Sequence, residues 1–181
     1  MKFYWALVFM ALLPAVSVNG EGSGAGGPYF QYHTNSLSAF DSELKGNPIV
    51  VGGVGVATVA KNFRVGGGGG GGFLINASEN VEFGLGYGGV VGEYVITTWL
   101  NARLMVGGGG YAVAKVVSEN ETDRTVRKLS TGGFLLFLPS LRADIPIHGL
   151  LHLGLDVGYF LPNLQKLQSV TVGLQLLFGK Q

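Results

Sequence analysis

Residues 170–178, which read VTVGLQLLF, alternate between large apolar side chains and side chains that are mostly small or polar. The apolar set falls on every second position: Val170, Val172, Leu174, Leu176 and Phe178. Successive side chains of a β-strand point to opposite faces, so a period of two indicates a strand with one apolar face. The segment therefore predicts a two-faced β-strand close to the C-terminus.

An aromatic residue that ends such an alternation resembles the terminal strand of Gram-negative outer-membrane β-barrel proteins. Phe178 would be that aromatic, although Gly179, Lys180 and Gln181 follow it, whereas the family usually stops at the aromatic. The resemblance implies a small eight-stranded barrel in the cell outer membrane, surrounded by outer-membrane lipid. It also implies that the insertion machinery recognises the C-terminal strand.

The first 20 residues have the composition of a secretory signal peptide. Met1 and Lys2 give a short positive start, residues 3–13 form an uncharged apolar run, and Pro14 ends it. A membrane-spanning helix is disfavoured, because crossing a bilayer takes about 20 apolar residues. Cleavage after Ser17 and cleavage after Gly20 both fit the preference for small residues. We expect a signal peptide over 1–20 and one β-barrel domain over 21–181.

The composition narrows the class of protein further. The 181 residues include no cysteine, so an exported chain would have no disulfide framework. The 12 basic residues nearly balance the 11 acidic ones, which gives no electrostatic footprint for nucleic acid. Only 13% of residues are charged, against about 25% in an average soluble domain. A low charge density without a membrane-length helix indicates a buried or lipid-facing sheet.

Eight candidate strands follow the signal segment, which predicts an all-β, up-and-down, antiparallel transmembrane barrel. A short amphipathic helix is expected over Asn35–Lys45, where apolar residues recur at spacings of three and four. The candidate strands cover residues 28–33, 48–59, 64–75, 81–95, 101–117, 131–145, 149–160 and 169–179.

The connections between these strands differ in length. Those after strands 2, 4 and 6 are short: Ala60–Phe63, Ile96–Leu100 and Pro146–His148. Those after strands 1, 5 and 7 are longer, and Ser118–Ser130 is the most densely charged stretch of the chain. Transmembrane barrels have short periplasmic turns and longer outer loops. We therefore expect Ser118–Ser130 to be an exposed outer loop and the contact surface for a partner.

Strands 4 and 7 have one large apolar face and one glycine-rich face. A membrane barrel turns its apolar face outward, and a narrow eight-stranded interior favours glycine. On this interpretation six side chains face lipid: Phe83, Leu85, Leu153, Leu155, Leu174 and Phe178. The alternation alone does not decide which face meets water, so a soluble barrel or sandwich with its apolar face inside stays open.

Two glycine runs interrupt this pattern. Residues 66–72 are seven consecutive glycines, and residues 107–110 are four. Each run is flanked by strand-like residues, so each is either a bent or closely packed strand or a flexible tract. A phosphate-binding loop is disfavoured because neither run is followed by the Gly-Lys-Ser/Thr of that motif.

Glu82, Arg103, Arg142 and Asp156 are the candidate functional residues, because they would lie inside the barrel, where buried charges must be paired. We expect them to form a salt-bridged network. No catalytic or cofactor residues are predicted, since no motif joins Ser118, Ser130 or Ser140 to a histidine. No metal ligands are predicted either: His148 and His152 would be about 13 Å apart along a strand.

The leading hypothesis is therefore a non-enzymatic outer-membrane barrel with a structural or surface-interaction role and no cofactor. The alternative is an exported soluble β-barrel or sandwich that binds a small apolar ligand or lipid. A requirement for detergent separates the two, because only a protein with an apolar outer surface needs it.

Overall fold

A computed structural model describes residues 23–34, 47–75, 81–120 and 123–179. Eight antiparallel strands follow one another around a closed barrel, and β8 pairs with β1 to close it. The expected all-β, eight-stranded fold is confirmed. The strands are β1 Gly24–His33, β2 Asn47–Ala60, β3 Phe63–Ile75, β4 Val81–Val95, β5 Leu100–Asn120, β6 Asp123–His148, β7 Leu151–Pro162 and β8 Ser169–Gly179.

The proposed signal peptide over 1–20 and the proposed helix over Asn35–Lys45 lie outside the described residues. Between β7 and β8 the chain makes a single 3₁₀ turn over Gln165–Leu167. In the ranges that are described, no helix has the length and apolarity that crossing a membrane requires.

The three short turns lie at one end of the barrel, which we call the short-turn end. Lys61 and Asn62 separate β2 from β3, and Asn62 adopts a positive φ of 63°. Gly149 and Leu150 separate β6 from β7, and Gly149 has a φ of +53°. The expected turn at Pro146–His148 was therefore wrong by two residues. The left-handed backbone of a tight hairpin turn favours glycine, so the chain reverses at Gly149.

The predicted exposed loop Ser118–Ser130 is a continuation of β5 and β6. Backbone pairing runs up to Asn120 and Asp123, with only residues 121 and 122 between them. β4 pairs with β5 only as far as Lys115, and β6 pairs with β7 only from Leu136. The hairpin therefore extends beyond its neighbours at the long-loop end. The loop prediction was wrong because it rested on the charged side chains of this stretch, whereas the strands are held together by backbone hydrogen bonds, which do not depend on side-chain charge.

β7 and β8 direct their large apolar side chains out of the barrel. Leu155, Leu174 and Phe178 are 41%, 49% and 56% exposed, and Leu153 is half-buried. The alternate positions point inward: in β7 they include Asp156, and in β8 they include Gln175. The two strands thus have the orientation that the sequence pattern favoured.

β4 has the opposite orientation. Phe83 and Leu85 are 6% and 5% exposed and belong to the interior, so their assignment to lipid was wrong. Glu82, expected inside, is exposed. The reason is Glu93, which lies on the same face of β4 as Phe83 and is fully buried. That carboxylate needs partners inside the barrel, and the whole face goes inward with it.

The two glycine runs are regular strand rather than flexible tracts. Gly69 pairs with Gly53 of β2 on one side and with Gly88 of β4 on the other. Gly88 in turn pairs with Gly108 of β5. Glycines of four adjacent strands therefore form a continuous part of the barrel wall.

The inward-facing Gly109 and the outward-facing Gly55 and Gly84 differ in the space around them. A Cβ on Gly109 would lie 2.3 Å from the backbone oxygen of Gly86, 2.6 Å from Cζ of Phe134 and 2.8 Å from Cβ of Tyr87. A Cβ on the outward-facing Gly55 or Gly84 would meet nothing within 4 Å. Inside, glycine makes room for aromatic rings, whereas at Gly55 and Gly84 the fold does not require it.

We expect Gly109→Ala to destabilise the barrel by about 1–3 kcal/mol, because the added methyl overpacks the interior. Gly55→Ala should be neutral or stabilising by up to about 1 kcal/mol, since it restricts only the unfolded chain. Urea midpoints of the two refolded variants in lipid vesicles measure the difference. Equal shifts would contradict the assignment of the two faces.

Candidate functional site

Glu93 of β4 lies at the centre of a charged cluster in the short-turn half of the barrel. Its Oε1 accepts hydrogen bonds from Nη1 of Arg64 at 2.9 Å and Nη2 of Arg142 at 3.1 Å. Its Oε2 accepts from Nη2 of Arg103 at 3.0 Å and from Nε of the same residue at 3.2 Å. Three guanidinium groups, from β3, β5 and β6, thus meet one carboxylate that is 0% exposed.

Asp144 extends the cluster toward the short turns. Its carboxylate accepts from Nε of Arg142 at 2.6 Å and from Nη2 at 2.9 Å, a bidentate geometry that adds strength and direction. Nδ2 of Asn101 donates to the same carboxylate at 2.6 Å. Arg142 is completely buried, and it joins Asp144 to Glu93.

Asp156 lies nearer to the middle of the barrel. Its Oδ2 accepts a hydrogen bond from Oγ of Ser140 at 3.0 Å and lies 4.0 Å from Nη1 of Arg103. Arg103 also donates to Oε1 of Gln175, with both contacts at 3.2 Å. Three arginines and three carboxylates therefore balance one another among the described interior residues.

The long-loop half of the interior is mostly apolar and aromatic. Phe160 is 0% exposed and contacts the rings of Tyr87 and Phe134, with centroids 5.3 and 5.8 Å apart. A hydrogen bond from Tyr29 to Tyr87 of 3.3 Å, and one from Tyr87 to Gln31 of 2.6 Å, join this layer to the polar middle. The described part of the interior is thus filled in layers by side chains.

His33 and Ser169 form a buried pair at the long-loop end. Nδ1 of His33 lies 2.8 Å from Oγ of Ser169, and Phe160 contacts the imidazole edge-to-face at 5.0 Å. A nucleophile–base pair needs a third group to orient the histidine, but no described residue hydrogen-bonds to Nε2 of His33. The pair therefore lacks the geometry of a hydrolase triad within the described residues.

Three of the four predicted network residues lie inside the barrel: Arg103, Arg142 and Asp156. The fourth, Glu82, lies on the outer surface near the long-loop end. Sequence reasoning missed Glu93 as the centre of the cluster, and it missed Arg64. Glu93 could have been found from the sequence, because it lies an even number of residues from Phe83 and Leu85 and therefore on the same face of β4. A charge on that face is inconsistent with its assignment to lipid.

Exposed aromatic side chains lie toward both ends of the outer wall. Trp99 and Phe178 lie at the short-turn end, and Phe63 pairs there with Tyr94. Toward the long-loop end the exposed aromatics are Tyr32, Phe73, Phe137 and Tyr159. Two such girdles flank the apolar band of transmembrane barrels, where they lie at the two membrane–water interfaces.

No protein-family model matches the sequence, and comparison with curated proteins finds no relative. Solved structures do match. The crystal structure of Ail, the attachment invasion locus protein of Yersinia pestis, matches with a TM-score of 0.56 at 15% identity, over 88% of this chain and 97% of that one. Ail in complex with the heparin analogue sucrose octasulfate gives a TM-score of 0.58 at 16% identity, over 89% and 100%.

The backbone structure of Ail in a phospholipid bilayer nanodisc also matches, with a TM-score of 0.51 at 11% identity over 88% of this chain. This chain has the fold of a small outer-membrane β-barrel. At these identities the likeness concerns the fold alone.

Replacing Glu93 tests whether it is the electrostatic centre of the barrel. We expect Glu93→Gln to cost about 3–5 kcal/mol, because three buried guanidinium groups would then share only the carboxylates of Asp144 and Asp156. Glu82→Gln makes the same change on the outer surface of the same strand and should cost no more than about 1 kcal/mol, because interactions of an exposed carboxylate contribute little. Urea unfolding in lipid vesicles compares them, and similar losses would contradict the central role of Glu93.

Proposed function

We propose that this protein is a non-enzymatic integral barrel of the bacterial outer membrane, with a structural or surface-interaction role. The observation that carries the proposal is the apolar outer wall. On β8, for example, Val170, Val172, Leu174, Leu176 and Phe178 are all between 41% and 56% exposed. Soluble monomers rarely expose a contiguous apolar patch of more than a few hundred Å².

The alternative, an exported soluble barrel that binds an apolar ligand, is less consistent with this wall. Such a protein would need a polar outer surface and a roomy apolar interior. Here the interior is filled by the charged cluster and by rings such as Tyr87, Phe134 and Phe160. The apolar surface that could meet lipid is on the outside.

The long hairpin of β5 and β6 supports a surface-interaction role. It extends beyond the paired parts of β4 and β7, at the end opposite the short turns. With the short turns on the periplasmic side, this hairpin points away from the cell. Functional contacts concentrate on such projections from a rigid scaffold, so we propose the hairpin as the contact surface for a partner.

Depth-dependent arginine substitutions distinguish a lipid-facing wall from a wall in water. Leu155 is exposed at the middle of β7, and Ile147 is exposed next to the short-turn end of β6. We expect Leu155→Arg to cost about 2–4 kcal/mol in a bilayer, and Ile147→Arg about 0–1 kcal/mol. Unfolding in lipid vesicles measures both, and a neutral Leu155→Arg would refute the lipid-facing assignment.

Trypsin added to intact cells tests the orientation of the barrel. Arg124, Arg127 and Lys128 lie on the part of β6 that extends beyond its pairing with β7, so we expect cleavage in this segment while the rest of the barrel stays protected. The matched control is an Arg124→Gln, Arg127→Gln, Lys128→Gln variant, which should resist cleavage there. Cleavage of the wild-type hairpin only after the envelope is opened would reverse the proposed topology.

A further inference from the structure

A cavity lies between the charged cluster and the aromatic layer of the barrel. Its volume of about 30 Å³ accommodates about two water molecules. Glu93 and Arg142 lie toward the short-turn side, and Tyr87 and Phe160 toward the long-loop side; all four are at most 7% exposed. The polar side chains that line it are Tyr29, Gln31, Arg103, Ser140, Asp156 and Gln175, and apolar side chains such as Val54, Met105 and Leu138 complete the lining.

Gln175 has a hydrogen-bond donor that no described residue accepts. The side chain is 2% exposed, and Nε2 has no partner. The orientation of this amide is fixed, because Arg103 has only donors and must face Oε1, with contacts of 3.2 Å. A buried donor without an acceptor is destabilising, so a group in the cavity that accepts from Nε2 would be favoured.

The contact between Arg103 and Asp156 also leaves room for a bridging group. Nη1 and Oδ2 are 4.0 Å apart, which is too far for a direct hydrogen bond. Oδ2 already accepts from Ser140 at 3.0 Å. Polar groups at such a separation are commonly joined through one water molecule.

We propose that this cavity is a binding site for about two water molecules, which accept from Nε2 of Gln175 and connect it to the carboxylate of Asp156 and to Arg103. The guanidinium and the carboxylate balance each other, so neither a cation nor an anion is favoured there. Water fits because it both donates and accepts. The inference concerns the interior alone and does not depend on where the protein resides.

The full-length barrel, labelled with ¹⁵N and refolded in lipid nanodiscs, can be tested by NMR. We expect magnetisation transfer between water and the side-chain amide protons of Gln175. Val54 lines the cavity and Val56, two residues along the same inner face, does not. Val54→Ile extends into the cavity and should abolish the transfer, whereas the matched control Val56→Ile should retain it.

Three results would overturn the proposal. The first is no transfer from water to Gln175 in the wild-type barrel. The second is transfer that persists equally in the folded Val54→Ile and Val56→Ile variants. The third is uptake of xenon by the wild-type cavity, since xenon occupies dry apolar cavities. The first and third measurements use only the wild-type protein, so they remain decisive if Val54→Ile does not fold.

Discussion

Three guanidinium groups converge on the carboxylate of Glu93, and much of the barrel depends on this contact. The partners Arg64, Arg103 and Arg142 come from β3, β5 and β6, so the cluster joins four consecutive strands through their side chains. A charge buried in a closed eight-stranded barrel has no access to bulk water, and it is tolerated only when it is paired. The positions of these four residues therefore fix which face of β3, β4, β5 and β6 is inside.

The orientation of these strands explains why the outer wall differs between β2–β5 and β7–β8. In β4, Phe83, Leu85 and Tyr87 lie on the same face as Glu93 and therefore point inward. Glycines such as Gly84 are left on the outer face. In β7 and β8 the polar and small residues go inward and the large apolar residues go outward. The outer wall is consequently glycine-rich across β2 to β5 and covered by large apolar side chains on β7 and β8.

The filled interior and the apolar wall together support the proposed structural or surface-interaction role. Charged groups close the short-turn half, and the rings around Phe160 close the long-loop half. The small cavity between them, lined by both polar and apolar side chains, is the site that we propose for bound water. What projects from this rigid body is the hairpin of β5 and β6, which extends past its neighbours on both sides.

The sequence by itself determined the strand count, most strand boundaries and the orientation of β7 and β8, because a period of two shows directly in residues such as Leu155 and Leu174. Only the tertiary structure decided the orientation of β4. By its sequence either face could point inward, and the contacts of Glu93 with three arginines in the folded barrel select one of them. The tertiary structure also decided that the charged segment Ser118–Ser130 is the paired end of β5 and β6, since backbone pairing leaves little trace in composition. Register between strands sets which charges meet, and a single sequence does not contain it.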